Sequence, residues 1–334
     1  MTSRIASVGS VFGDMDTLLY IVARALVAFV QALPLSWVAR LGRGAGALAY
    51  ALDARHRRVA LRNLDMCFGD EKSAAEIRAL ARENFRRIGE AFACAAKTAG
   101  MTPDELSPHV TFVGAEKILA HKTGSGPQSR IVAIGHFGNF ELYARFGQYV
   151  PVFQCATTYR GLRQPSLNRL LQSLRAKSGC LFFERRTDGA ALKAAMNNTG
   201  LLLGLLADQH GGDRGLPIPF LGHVCSTSAA PAVFALRYHC PLHTGVCYRV
   251  APGRWQIEAG DEIPTHENGR PRSVAAIMRD VNQAFEVALR RDPANWFWVH
   301  NRWKPGKARK QKSETPLPNT GVEQQESAGV EDGG

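Results

Sequence analysis

The chain of 334 residues contains no Cys-x-x-Cys pair. Its seven cysteines (Cys67, Cys94, Cys155, Cys180, Cys225, Cys240 and Cys247) are scattered and odd in number. That argues against a disulfide framework or a zinc site and for a reducing compartment. Small buried apolar residues are the better reading of all seven. His239, His243 and His266 lack metal-ligand spacing, and no metal is expected. Gly-x-Ser-x-Gly, the P-loop, Gly-x-Gly-x-x-Gly and His-Glu-x-x-His are all missing. A serine hydrolase, an NTPase, a dinucleotide enzyme and a zincin therefore have no support. There is also no zinc-finger spacing, no aromatic RNP-type strand and no heptad run joined to a basic region, so nucleic acid is not expected as a partner. The first apolar run has neither a basic leader nor a small-residue cleavage site ahead of it, and a removable signal peptide is not expected.

What is present is basic and apolar in distinct places. Net charge is +12 with a pI near 9.6, and 45% of residues are hydrophobic. Thr17 to Leu33 is apolar except for Arg24 and Gln31 and closes at Pro34. At about 1.5 Å per residue it is just long enough to span a bilayer. A second apolar stretch, Leu35 to Leu52, leads into Arg55, Arg57, Arg58 and Arg62. Arginines just beyond an apolar segment favour an anionic cytoplasmic leaflet, at about 1 kcal/mol each near the surface. A core helix with a solvated basic face is the plainer alternative. Residues 1–100 thus read as a membrane-associating helical region.

Residues 101–304 read as an α/β domain. Strand signals at Arg130–Ile134, Val152–Thr157, Cys180–Phe183 and Leu201–Leu206 alternate with helix signals at Ser166–Lys177 and Gly189–Asn197. Alternation of this kind predicts a largely parallel central sheet flanked by helices. Thr244–Val250 and Trp255–Ala259 suggest a later hairpin, Ser273–Arg290 an amphipathic helix, and Gly124–Pro127 a loop. Residues 305–334 have almost no apolar content and are expected to be a disordered polar tail.

The strand at Arg130–Ile134 breaks into His136-Phe137-Gly138-Asn139-Phe140-Glu141. Five helical steps would turn His136 and Glu141 apart, so they meet only if the histidine sits on the bend leaving the strand. A histidine held by a carboxylate through one ring nitrogen keeps the other as a base. A structural histidine fits the same spacing. Asp208 closes another buried strand and should lie in the same cleft, where strand-end capping is its alternative.

His136-Phe137-Gly138-Asn139-Phe140-Glu141 resembles the HxxxxD/E motif of lysophospholipid acyltransferase-like enzymes. Further stretches narrow the resemblance to the bacterial lipid A biosynthesis (lauroyl/myristoyl) acyltransferases. They are Arg62-Asn63-Leu64 with Cys67-Phe68, Tyr159-Arg160 with a helix reaching Arg175, Ala207-Asp208-Gln209 followed by Pro219-Phe220-Leu221-Gly222 and Ser226-Thr227-Ser228, and Asn295 to Lys304. The similarity runs in order from about Leu18 to Pro305.

The resemblance implies a glycerol-3-phosphate acyltransferase-like fold and a fatty acyl transfer to a hydroxyl of a lipid A precursor. His136 would be the general base and Glu141 its orienting partner, with Arg175 and Asp208 completing the catalytic group. Arg160, Ser226 and Thr227 would bind substrate, the hydroxyls as a phosphate cradle or an ordinary helix cap. No prosthetic group is implied, only acyl carrier protein or CoA as the acyl carrier. Acyl carrier protein is an acidic partner that suits the net charge. The location implied is the cytoplasmic face of the inner membrane. Another glycolipid or aminolipid acceptor, such as a phosphatidylinositol mannoside, and an idle lipid-binding protein on the same fold are the competing readings. The idle protein predicts loss of at least one of the four catalytic residues.

Overall fold

A computed structural model of the chain describes residues 3–120, 129–197 and 200–304. The expected loop at Gly124–Pro127 and the expected polar tail lie outside the described residues.

Four helices come first: α1 (Ser3–Ala32), α2 (Leu35–Leu52), α3 (Ala54–Phe68) and α4 (Ala74–Thr98). Pro34 separates α1 from α2, and Asp53 caps α3 by accepting from the His56 N–H. Ser73 and Glu76 form a reciprocal capping box at the start of α4. After a short α5 (Pro103–Leu106), strands and helices alternate. They are β1 (Val110–Val113), α6 (Ala115–Leu119), β2 (Arg130–Ile134), β3 (Gln154–Tyr159), α7 (Pro165–Ala176), β4 (Leu181–Glu184), α8 (Gly189–Met196) and β5 (Leu201–Leu206). The hairpin β6 (Leu216–Phe220) and β7 (His223–Thr227) then precedes α9 (Ala230–Arg237), β8 (Leu242–Ala251), β9 (Arg254–Ala259) and α10 (Val274–Arg291).

Seven strands form one sheet in the order β1-β9-β8-β2-β5-β3-β4. All neighbours pair in parallel except the β8–β9 hairpin. The predicted mixed pair is that hairpin, and the predicted strand at Leu201–Leu206 pairs directly with the His136 strand. The fold is therefore α/β with a mostly parallel central sheet.

Strand alternation divides the two faces. Ile131 and Ala133 of β2, with Leu201, Leu203 and Leu205 of β5, enter the main core together with Ile277, Val281 and Phe285 of α10. Leu64 and Phe68 of α3 and Ile77 and Phe85 of α4 join that same core. Val132 and Ile134 of β2 and Leu202 and Leu206 of β5 point the other way and line a cavity.

α1 behaves differently. Leu18, Ile21, Leu26 and Phe29 remain exposed although the helix lies against α4 and α7. Its Met15–Ala32 stretch is long and apolar enough to cross a membrane.

Candidate active site

β2 leaves the sheet through a tight turn. Phe137 N–H donates to the Gly135 carbonyl at 2.9 Å, and Gly138 adopts a φ of +51°. A Cβ at position 138 would also stand 2.6 Å from the Cys247 carbonyl oxygen, so the turn needs glycine twice over. The C-terminal segment clamps it: Gly138 N–H donates to the Asn295 carbonyl at 3.0 Å, and Phe137 bridges to Trp296.

That turn presents His136 to Asp208 at the end of β5. Asp208 Oδ1 lies 2.8 Å from His136 Nδ1, while Oδ2 accepts from the His136 backbone N–H and from Trp296 Nε1, each at 2.8 Å. Asp208 is buried. Burial acts to raise its pKa, but the His136 charge and the hydrogen bonds from His136 and Trp296 outweigh it and leave the carboxyl below its ordinary value. An ionised Asp208 can only accept, which assigns the Nδ1 proton to His136 and leaves Nε2 with a lone pair. The ring lies between Phe140 and Phe297, with centroids 4.9 and 5.9 Å away, and borders the cavity.

Glu141 was the expected partner of His136, and here the structure corrects the expectation. Glu141 sits in a 3₁₀ segment, Phe140–Gln148, and its carboxylate meets Arg175 instead. Arg175 Nε and Nη2 donate to its two oxygens at 3.0 and 2.5 Å. The physical reason is the sheet order: β5 lies beside β2, so Asp208 reaches the imidazole first. Arg175, near the end of α7, is further held by the rings of Phe182 and Tyr159, at 5.2 and 5.8 Å. His136, Glu141 and Arg175 all line the cavity, as does Arg160.

Ser226 and Thr227 are placed elsewhere. They close β7 rather than open a helix. Ser226 Oγ donates to the Gly212 carbonyl at 2.6 Å, and the buried Thr227 Oγ1 accepts from Arg302 at 2.8 Å. Their hydroxyls hold the loop after β5, and the neighbouring Ser228 lines the cavity in their stead.

The cavity has a volume of about 650 Å³, within the range of small-molecule and lipid sites. Its inner wall is apolar, from Val132, Ile134, Phe146, Leu202 and Phe182. Gly204 and Gly245 stand on the two strands flanking β2. Added Cβ atoms there would come within 3.2 and 3.1 Å of Ile134, so their missing side chains keep this wall open.

Three residues outside the expected set shape the site. Trp296 supplies the second side-chain donor to Asp208. Arg302, fully buried, donates to the carbonyls of Gln209 and Ser226 and pins the chain just after Asp208. His300 accepts from the His210 backbone N–H at 3.2 Å, and burial pushes its pKa down to about 4. All three lie in the stretch Asn295 to Lys304, whose run of Trp, His and Arg was the available signal. Among the described residues no group of three or more His, Cys, Asp or Glu side chains is arranged to hold a metal ion.

A family model described as bacterial lipid A biosynthesis acyltransferase matches residues 15–305. The chain belongs to that family. It is accordingly an enzyme that transfers acyl groups. The match takes in all four N-terminal helices, the whole sheet and the Trp296–Arg302 segment. No curated protein matches the chain.

Proposed function

We propose that this protein is a membrane-associated acyltransferase of glycerol-3-phosphate acyltransferase-like fold. It moves a fatty acyl chain from acyl carrier protein to a hydroxyl of a lipid A precursor at the cytoplasmic face of the inner membrane. The observation that carries the mechanism is the 2.8 Å contact of His136 Nδ1 with the buried Asp208, which frees Nε2 beside an apolar cavity. A sugar hydroxyl is too weak an acid to ionise near neutral pH, so its proton must leave as its oxygen attacks. Nε2 takes that proton while the oxygen bonds to the thioester carbonyl carbon. Asp208 stabilises the imidazolium that forms. On collapse the carbon–sulfur bond breaks, and the imidazolium returns the proton to the departing thiolate.

Arg175 is aligned by the Glu141 carboxylate and is the cation nearest in role to the charge that develops on the carbonyl oxygen. The apolar inner wall suits an acyl chain. The exposed apolar face of α1 suits lipid, and exposed Arg55, Arg58 and Arg62 suit an anionic leaflet. An idle lipid-binding protein would have no need of a buried carboxylate with three donors aimed at it.

The test is acyl transfer by the purified protein in mixed micelles, using acyl carrier protein thioesters and a lipid A precursor, analysed by mass spectrometry. The expected product carries one additional ester-linked acyl chain, and His136→Ala makes none. Transfer only to another glycolipid or to an amine would change the acceptor. Undiminished transfer by His136→Ala would end the mechanism.

A further inference from the structure

The cavity has a second cationic feature that the chemistry above does not use. β3 and β4 pair in parallel with Tyr159 opposite Glu184. The next residue of each strand is an arginine, so Arg160 and Arg185 leave the sheet side by side, and the Arg185 N–H donates to the Tyr159 carbonyl at 3.0 Å. Both line the cavity. Arg185 Nε donates to Thr158 Oγ1 at 3.3 Å, and neither guanidinium forms an ion pair among the described residues.

The nearby acids are committed to the backbone. Glu184 accepts from the N–H groups of Gly161, Arg186 and Thr187 at 3.3, 2.6 and 3.1 Å. Asp188 accepts from the Glu184 N–H and the Thr187 hydroxyl, both at 2.8 Å. Partial withdrawal from water and then the Arg160 charge lower the pKa of Arg185, and the attraction of Glu184 is the smallest of the three effects. Two like charges are thus held together at a rim where water is partly excluded, with their counter-charge missing.

A phosphate has the shape and charge to bridge two guanidinium forks. Strand order also sets its distance. β3 is two strands from β2 and β4 is three, which at the usual strand spacing is about 10 and 14 Å. We infer that Arg160 and Arg185 form a phosphate subsite at the β3–β4 rim, holding a phosphate group of a substrate whose reacting atoms lie at His136. The subsite rests on the reading that this cavity binds the acyl-transfer substrates. Two such substrates carry phosphate: the glycolipid acceptor as a monoester, and the donor as the diester of its phosphopantetheine arm.

Equilibrium binding separates them without requiring turnover. One arm compares a phosphorylated disaccharide glycolipid with its phosphatase-treated form in micelles. The other compares acylated phosphopantetheine with the acylated, phosphate-free pantetheine. In the wild-type protein the phosphate should tighten binding about 10–100-fold in one arm, as expected for charge-assisted hydrogen bonds. Arg160→Gln with Arg185→Gln should abolish that difference, and Arg160→Lys with Arg185→Lys should retain part of it. If the glutamine pair does not fold, Arg185→Gln alone should reduce the difference and serves in its place. The arm that responds identifies the substrate. His136→Ala should keep the full phosphate effect, so a protein that fails to transfer acyl groups still reports on this site. No phosphate effect in either arm, or an effect that survives both arginine changes, would overturn the assignment.

Discussion

Asp208 and Glu141 both serve the cavity, but opposite means hold them. The Asp208 side chain is fully buried at the end of a central strand and accepts from an imidazole, a backbone amide and an indole. The Glu141 side chain, 24% exposed in a 3₁₀ segment, has one partner, the Arg175 fork. A carboxylate fixed by three donors in a dry site fixes its histidine in turn, both tautomer and ring plane. A carboxylate facing one arginine at the edge of water positions a charge with less penalty for failure. The sequence motif ties Glu141 to His136, whereas the geometry assigns that work to Asp208.

The largest expected effect tests this division. In Asp208→Asn, the amide oxygen must serve the His136 and Trp296 N–H groups. Its NH₂ then faces Nδ1 and drives the imidazole proton to Nε2, the wrong tautomer for a base. Turnover should fall about 10²–10⁴-fold, the range of a lost acid–base contribution. Near wild-type turnover in steady-state assays would return the orienting role to Glu141.

Glu141→Gln and Arg175→Lys should each cost less, about 10–100-fold, because they loosen an ion pair rather than reverse a proton. Since both break one interaction, the double variant should be little worse than either single variant. Fully additive losses would show that each side chain acts alone.

A smaller effect appears in stability against pH. His300 has a folded pKa of about 4, below the ordinary 6.5. Between those values the unfolded chain binds the extra proton, so stability falls as pH drops from 6.5 to 4. The Asp208 carboxyl lies below its ordinary 3.8, so its contribution is present above that value and is lost as pH falls through the folded pKa beneath it. Melting temperatures should decline in those two stages, and His300→Gln should flatten the first. An unchanged first stage in that variant would mean another group titrates there.

The smallest change to chemistry concerns the membrane. Removing residues 1–33 should release the protein from anionic vesicles only in part, because Arg55, Arg58 and Arg62 remain exposed. The residual binding should fall steeply with salt, since charges are screened within about 10 Å at 0.1 M. Salt-independent residual binding in flotation assays would show that apolar surface of α2 holds it instead.

Much of the fold was legible in the sequence because it rests on local patterns. The apolar run Leu201–Leu206, the break after Ile134 and the hairpin near Thr244 and Trp255 are set by hydrophobic alternation and turn residues. The identity of His136, Glu141, Arg175 and Asp208 as one group also came from motifs, and all but Asp208, which bonds His136 directly, line the cavity. Ser226 and Thr227 misled because a run of small hydroxyls caps a helix or closes a strand equally well. Only the β6–β7 pairing and the buried Arg302 decide between them.

What sequence alone determined is therefore the set of elements and the types of chemical group available, since both follow from side-chain chemistry and short-range geometry. Tertiary structure decided who meets whom. His136 and Asp208 are 72 residues apart, and Trp296 is 88 beyond Asp208. Their meeting depends on β5 pairing with β2 and on the C-terminal segment returning over the turn. The same holds for Arg160 and Arg185, brought together by the β3–β4 register. Strand order is a global choice made by the packing of the whole core, and no local pattern carries it.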